Sequence, residues 1–148
     1  MKTDVFNIKQ NHASFEELLL FFVKNSNAFI PDLKTQVESL YDYVDKLKKN
    51  ATFFEAYDDN TLVGLVAVYL NDYETKVAFI TSIVVSAEYQ GKGIAGTLLK
   101  VAIDTAVLHK FTTIKLEVFS GNVKAIKLYK NYGFEERKKS YITMELKI

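Results

Sequence analysis

Residues 80–96 read Ile-Thr-Ser-Ile-Val-Val-Ser-Ala-Glu-Tyr-Gln-Gly-Lys-Gly-Ile-Ala-Gly. The apolar run that ends at Val85 is typical of a strand, and the stretch from Ile94 on is typical of a helix. Gly91 and Gly93 lie between them and let the backbone approach a ligand without interference from a Cβ atom. Because amides at a helix N-terminus favour an anion, this unit predicts a phosphate or pyrophosphate site. The alternative is a glycine-rich helix entry without a ligand.

Two common phosphate-binding patterns fit this stretch poorly. Gly91-x-Gly93-x-x-Gly96 has the glycine spacing of a dinucleotide-binding fold, in which Glu117 would hold a ribose. In that fold the first glycine follows the strand almost directly, whereas residues 86–90 intervene here. A Walker loop is excluded as well, because the lysine of this loop lies between glycines and not before a Ser or Thr.

The hydrophobic pattern of the whole chain predicts seven strands and four helices. The strands fall at residues 3–9, 52–57, 61–70, 76–85, 114–119, 135–139 and 141–147. The helices begin at the Ser14–Glu17 capping box, after Pro31, at Ile94 and at about Val123. This order, without repeats or linkers, predicts a single α+β domain over residues 1–148.

Composition excludes several classes of protein. The chain has 148 residues, 49% of them hydrophobic, which fits one compact domain. A net charge of +1 gives no reason to expect nucleic acid or an anionic membrane as partner. With no cysteine and only 2 histidines far apart, no metal site is predicted. No segment approaches the ~18 apolar residues of a membrane span, and the start lacks a signal-peptide pattern, so we expect a cytoplasmic protein.

The glycine loop carries a family resemblance. Gln90-Gly91-Lys92-Gly93-Ile94-Ala95 resembles the Q/R-x-x-G-x-G/A signature of the GNAT N-acetyltransferases. Leu116-Glu117-Val118 and the residues that follow it up to Phe134 resemble the second half of that family. The resemblance is close over about residues 52–134 and holds for the amino-terminal helices only by their order. It implies a central mixed, mostly antiparallel sheet in which strands 4 and 5 splay apart.

The same resemblance implies an acetyl-CoA site. Main-chain groups of Ile83, Val84 and Val85 would meet the pantetheine arm, as in strand addition. The pyrophosphate would lie against the amides of Gln90, Gly91, Lys92, Gly93, Ile94, Ala95 and Gly96. Further contacts are implied for Asn122, which would touch the pantetheine or help to splay the strands, for Ala125 and Leu128 along the cofactor, and for Tyr129 facing the sulfur.

Two catalytic residues are implied. Attack of a neutral amine on a thioester needs mainly positioning. Tyr129 would give a proton to the departing thiolate, although by itself the residue also fits an aromatic core position. Glu117 precedes it by 12 residues, the spacing proposed for base and acid in the ribosomal-protein amino-terminal acetyltransferases of the family. The alternatives are a base that works through water, no base beyond the solvent, and a Glu117 carboxylate that only hydrogen-bonds amides of the splayed sheet.

The acceptor pocket is expected from the amino-terminal helices, their connection at 25–33, and the hairpins at 71–75 and 139–141. Aromatic residues there could stack on an acceptor and carboxylates could attract an ammonium, unless they are ordinary core or surface. The aromatic candidates are Phe29, Tyr41, Tyr69, Tyr73 and Tyr141, and the acidic candidates are Asp32, Asp72 and Glu74.

The sequence therefore predicts an acetyl-CoA-dependent N-acetyltransferase that acts on a primary amine of a small molecule. The alternatives are a protein or peptide amino-terminal acetyltransferase and a catalytically silent acyl-CoA-binding module. The last strand would suit a homodimer, and equally a sheet covered on one face, through Tyr141, Ile142, Met144 and Leu146.

Overall fold

The structure of the chain is a computed structural model that describes residues 6–137 and those from 141 on, with Tyr141 described by its backbone alone. The strands are β1 (Asn7–Gln10), β2 (Thr52–Asp58), β3 (Thr61–Tyr69), β4 (Val77–Val85), β5 (Thr113–Phe119), β6 (Glu135–Glu136) and β7 (Tyr141–Lys147). The helices are α1 (Phe15–Lys24), α2 (Leu33–Gln36), α3 (Leu40–Asn50), α4 (Ile94–Leu108) and α5 (Val123–Asn131).

The strands form one seven-stranded sheet in the order β1-β2-β3-β4-β5-β7-β6. All neighbours run antiparallel except β4 and β5, which are parallel because α4 connects them. The predicted α+β class, the meander of β2, β3 and β4, and the mixed sheet are confirmed.

The two parallel strands separate part-way along their length. Their pairing ends at Ile80 and Leu116, while β4 continues beside β3 to Val85 and β5 continues beside β7 to Phe119. At the same level β4 carries a bulge, since Ala67 of β3 pairs with Ser82 and the next residue pairs with Ile80. A bulge inserts one residue and increases the local twist. The extra residue, Thr81, thus turns the end of β4 away from β5, and the predicted splay is confirmed.

The sheet separates two apolar cores. Helices α4 and α5 cover one face, with Leu98, Leu99 and Ile114 fully buried there, and α1 and α3 cover the other, with Phe22 and Val44 fully buried. Because each core forms on a different face, alternate residues of a strand enter different cores.

The bulge in β4 also decides which side chains enter each core. Ala78 and Ile80 pack in the α4 core, and beyond the bulge Ile83 and Val85 pack there, whereas Val84 packs in the α1 core. Without the extra residue, residue 84 would share a face with residue 80.

The predicted helix after Pro31 is wrong in one respect, because it is two helices. Val37 lies between α2 and α3 in an extended conformation, with φ −127° and ψ 146°. The Ser39 side chain then accepts a hydrogen bond of 3.1 Å from the Asp42 amide and begins α3. The described residues thus form five α-helices where about four were predicted, and the Ser-x-x-Asp cap was the signal for the break.

Three other boundaries bear on the predictions. The first strand is described from Asn7 and extends to Gln10, so its predicted residues 3–5 lie outside the described part. The short strand β6 ends at Glu136, and residues 138 and 139 of its predicted range also lie outside. Ser14 caps α1 as predicted, accepting from the Glu17 amide at 3.1 Å. The Glu17 carboxylate accepts from the Tyr57 hydroxyl at 2.9 Å.

The apolar residues of β7 are used inside this chain. Ile142 and Met144 are buried in the α4 core, and Leu146 packs against it. The alternation of β7 therefore fits a sheet covered on one face, and a homodimer stays a prediction. Among the described residues, none of the helices has the length and apolar character needed to cross a lipid bilayer.

Candidate active site

The glycine loop places backbone amides at the end of the splayed strand. Gly91 and Gly93 have φ angles of +82° and +80°, a left-handed conformation that favours glycine. Gly93 caps α4, whose first intrahelical bond runs from the Thr97 amide to the Gly93 carbonyl at 3.1 Å. The amides before Thr97 have no acceptor within the helix and lie at its positive end, where they can bind an anion.

Two side chains hold this loop in place. The side-chain amide of Gln90 donates a hydrogen bond of 3.1 Å to the main-chain carbonyl of Val85. This bond connects the loop to the end of β4. The Tyr89 hydroxyl donates a hydrogen bond of 2.7 Å to the carboxylate of Asp58 on β2. The signature glutamine is thus a positioning residue for the loop.

Gly96 has a different role, since it allows α4 and the end of α5 to approach each other. A Cβ atom on Gly96 would lie 2.8 Å from the Tyr132 hydroxyl oxygen, closer than such contacts occur. Packing around Tyr132 thus requires a glycine in the first turn of α4.

A groove of about 580 Å³ opens where β4 and β5 separate, a volume typical of small-molecule sites. It brings together nearly all predicted site residues. These are Ile83, Val84, Val85, Gln90, Gly91, Gly93, Ile94, Ala95, Gly96, Glu117, Asn122, Ala125, Leu128 and Tyr129. Lys92 is a member of the loop that does not line the groove.

Tyr129 reaches the groove from α5. Its half-buried ring packs on Phe134 with centroids 5.9 Å apart, and within the described chain its hydroxyl makes no hydrogen bond. Burial raises the pKa of Tyr129 to about 12. The phenol is therefore protonated at neutral pH and can donate a proton or a hydrogen bond to a group in the groove.

Glu117 reaches the groove from the opposite face of the sheet. Its neighbours Leu116 and Val118 are buried in the α4 core, so its side chain points to the α1 side, where it is exposed. No ion-pair partner of this carboxylate occurs in the described part of the chain. A ligand between the strands would thus have the Tyr129 hydroxyl, a proton donor, on one side and the Glu117 carboxylate, a proton acceptor, on the other.

The matching family model, described as the acetyltransferase (GNAT) family, covers residues 16–134. The chain belongs to the GNAT family. Its match therefore includes both helical layers, the splayed strands and the glycine loop.

Two curated relatives and one solved structure illustrate the similarity. Streptothricin acetyltransferase of Escherichia coli is 35% identical over 107 residues, 70% of this chain and 60% of that protein. Spermine/spermidine N(1)-acetyltransferase of Bacillus subtilis is 33% identical over 75 residues, 50% of this chain and 49% of that protein. The matches thus span only about half to three fifths of the length of these relatives.

The solved structure is a GNAT family acetyltransferase from Elizabethkingia anophelis with acetyl-CoA bound. It superposes with a TM-score of 0.73 over 99% of this chain and 100% of that one, at 17% identity. At that identity the likeness establishes the GNAT fold, in agreement with the observed sheet.

Asn122 links the groove to the start of α5. Its side-chain oxygen accepts a hydrogen bond of 3.2 Å from the Ala125 main-chain amide and so caps the helix. The cap fixes where α5 begins, and with it the position of Tyr129 two turns further on. This cap does not use the Asn122 amide nitrogen.

Most of the predicted acceptor residues lie elsewhere. Phe29 lines the groove, but Tyr41 packs on Phe15, Tyr69 joins the α1 core and Tyr73 packs on Phe111. Asp32 caps α2, Asp72 accepts from the Thr75 amide, and Glu74 does not line the groove. Those six residues do not line this groove, which agrees with the alternative that they are ordinary core or surface, and the Tyr141 side chain lies outside the described part.

Sequence reasoning missed several residues on the side of the groove that faces α1 and α3, where the amine acceptor is expected and which we call the acceptor side. Ile30 and Gln36 line the groove from the segment after α1, and Phe79 and Phe119 line it from the strands. The strand residues could have been found by alternation, because each lies next to residues of the α4 core and therefore faces the other way. No comparable signal exists for Ile30, because the path of an irregular connection depends on tertiary packing.

Proposed function

We propose that this protein is an acetyl-CoA-dependent N-acetyltransferase that acetylates a primary amine of a small molecule. The observation that carries the proposal is one groove that joins the splay between β4 and β5, the glycine loop and the Tyr129 hydroxyl. Membership of the GNAT family supports it, and the names of the streptothricin and spermine/spermidine relatives support a small amine as acceptor.

The described residues fit acetyl-CoA as a substrate. Beyond Ile80, β4 pairs with no strand of the described residues on its β5 side, so its main chain there can pair with the amide-containing pantetheine arm. The amides at the start of α4 suit the pyrophosphate. We assign the arm to Ile83, Val84 and Val85 and the pyrophosphate to the loop from Gln90 to Gly96.

Bound acetyl-CoA supplies an acetyl group that is already activated as a thioester. The amine nitrogen would form the new bond to carbon while Glu117 accepts the proton it loses. A main-chain amide at Val84 or Val85 would stabilise the developing oxyanion. As the carbon–sulfur bond breaks, Tyr129 would donate its phenolic proton to the sulfur. In this proposal the two side chains would act from opposite sides of the reacting atoms.

Two alternatives are tested by the same experiment. A peptide amino-terminal acetyltransferase would use the same groove, and a silent acyl-CoA-binding module would bind without turnover. The small-molecule proposal is favoured because the streptothricin and spermine/spermidine relatives are named for small molecules. Cytoplasmic location and a homodimer stay predictions.

The test is release of the CoA thiol from acetyl-CoA with amino sugars, polyamines, simple amines, amino acids and peptides as acceptors. We expect turnover with at least one small amine and a rise in Tm on adding acetyl-CoA. Turnover confined to peptides would favour the first alternative. A Tm rise without any turnover would favour the second, and no Tm rise would contradict acetyl-CoA binding.

A further inference from the structure

The acceptor side of the groove has an unusual balance of charge and apolar surface. Two ionisable residues other than tyrosine line the groove within the described chain, Glu117 and Lys124. Lys124 lies on α5, which packs on the α4 face of the sheet. The face that looks toward α1 and α3 therefore contributes one charge to the groove, the carboxylate of Glu117.

The walls around that carboxylate are mainly apolar, and the Ser82 hydroxyl, which also lines the groove, is engaged with the Tyr43 hydroxyl of α3 at 2.7 Å. On β4 and β5 the bracketing residues Phe79 and Phe119 face the same side as Glu117, because their strand neighbours enter the α4 core. Across from them, Phe29 stacks on Phe22 with centroids 6.1 Å apart, and Ile30 follows it with 52% of its surface exposed. These four side chains enclose the acceptor side with aromatic and aliphatic surface.

Among the described residues, one amide side chain, that of Gln36, lines this side of the groove, and it already makes a hydrogen bond. Gln36 donates its amide hydrogen to the Pro31 carbonyl, which holds the connection between α1 and α2 in its path beside the groove. Lys115 shares the Glu117 face of β5 but does not line the groove. A second charge on an acceptor would thus meet no opposite charge on these walls.

From this arrangement, and resting on the proposed function, we propose that the acceptor is a primary monoamine with an apolar body. Glu117 would attract the ammonium group, and Phe29, Ile30, Phe79 and Phe119 would enclose the hydrocarbon or aromatic part. A polyamine or an amino acid carries a further charge, whose desolvation against apolar walls is unfavourable. The charge pattern therefore selects one class among small amines.

Three acceptors with the same six-carbon chain test this inference. Hexylamine, 1,6-diaminohexane and 6-aminohexanoate differ only in the group at the far end. We expect kcat/KM for hexylamine to exceed the other two values by on the order of tenfold. A diamine or amino acid that reacts as well as hexylamine would overturn the inference.

A matched pair of variants tests the wall itself. Ile30→Glu places a carboxylate on the exposed connection and should shift the kcat/KM ratio toward the diamine by about threefold or more. Leu20→Glu adds the same charge on α1 at a site 70% exposed and outside the groove, and should leave the ratio unchanged. An unchanged ratio in Ile30→Glu would show that the connection does not contact the acceptor.

The outcomes separate this inference from the proposed function. If only polyamines, amino sugars or amino acids are acetylated, the proposed function stands and the monoamine inference is wrong. If no amine of any class is acetylated by a protein whose Tm rises with acetyl-CoA, the proposed function is wrong and the inference falls with it.

Discussion

The side-chain amide of Gln90 donates a hydrogen bond of 3.1 Å to the carbonyl of Val85. Val85 is the last residue of β4, and the glycine loop begins directly after Gln90. One hydrogen bond thus couples the strand proposed to bind pantetheine to the loop proposed to bind pyrophosphate. The signature residue acts on the cofactor site through the backbone that it positions.

Removing this bond should weaken acetyl-CoA binding. We expect Gln90→Ala to raise the Kd for CoA about tenfold, the equivalent of one hydrogen bond. Gln90→Arg keeps a donor at this position and should restore most of the affinity. Isothermal titration with CoA measures both, and equal Kd values for Gln90→Ala and the wild type would contradict the role.

Tyr129→Phe removes the proposed proton donor and keeps the ring packing on Phe134. We expect kcat to fall by roughly 10²- to 10⁴-fold while the Kd for CoA stays unchanged, as for loss of a general acid. Tyr41→Phe is the control, because Tyr41 is 58% exposed and lies outside the groove. Unchanged turnover in Tyr129→Phe would remove Tyr129 as the acid.

The pH dependence of turnover follows from the raised pKa of Tyr129. An acid whose pKa is raised from 10.0 to about 12 keeps its proton up to a higher pH. The kcat profile of the wild type should therefore show no alkaline limb from this residue below roughly pH 11. A limb with an apparent pKa near 10 that is absent in Tyr129→Phe would contradict the buried phenol.

A double-mutant cycle tests the contact between Gly96 and Tyr132. Gly96→Ala places a Cβ atom 2.8 Å from the Tyr132 hydroxyl oxygen and should lower the free energy of unfolding by about 1–3 kcal/mol. In a Tyr132→Phe background the next atom is 3.6 Å away, an ordinary contact. The loss should then largely disappear in chemical denaturation, and additive losses would argue against the contact.

Glu55 supports the entry to α1. This fully buried carboxylate accepts hydrogen bonds from the amides of His12 and Ala13 at 2.9 and 3.0 Å. Glu55→Gln leaves one of these amides without an acceptor and should cost about 1–3 kcal/mol of unfolding free energy. Glu38→Gln is the control at an exposed position, where we expect a change within about 0.5 kcal/mol.

The same pair of proteins gives a pH test. Burial raises the pKa of Glu55 above its ordinary value of 4.5, so the folded state binds this proton more tightly than the unfolded state. The stability of the wild type relative to Glu55→Gln should therefore fall as pH rises from about 4.5 through the raised pKa. Urea denaturation over this range measures the difference, and a difference that rises with pH would contradict the burial effect.

Local signals predicted most of the fold. The glycine loop, the Ser14 cap and the alternation of the strands depend on neighbours within a few residues, and the predicted bounds of β2 to β5 agree with the structure to within a residue or two. The helix after Pro31 was predicted wrongly, because its apolar period continues across the break at Val37. The first of the two helices ends before Val37, and the cap at Ser39 begins the second.

The candidate site also has a part that local sequence patterns predicted and a part that they did not. The residues proposed for the cofactor follow a local motif, and the structure brings nearly all of them to one groove. The acceptor side has no such motif, and six aromatic or acidic residues expected there lie elsewhere. Composition suggested these six residues, and their packing places their side chains away from the groove.

The sequence by itself determined the family, the order of the helices and strands, and the glycine loop, because these depend on short-range residue patterns. Only the tertiary structure decided that Thr81 bulges, that β4 and β5 part at Ile80, and that Glu117 and Tyr129 approach one groove from opposite faces. These features depend on the register between strands that are distant in the chain. One extra residue in a strand moves every later side chain of that strand to the other face of the sheet.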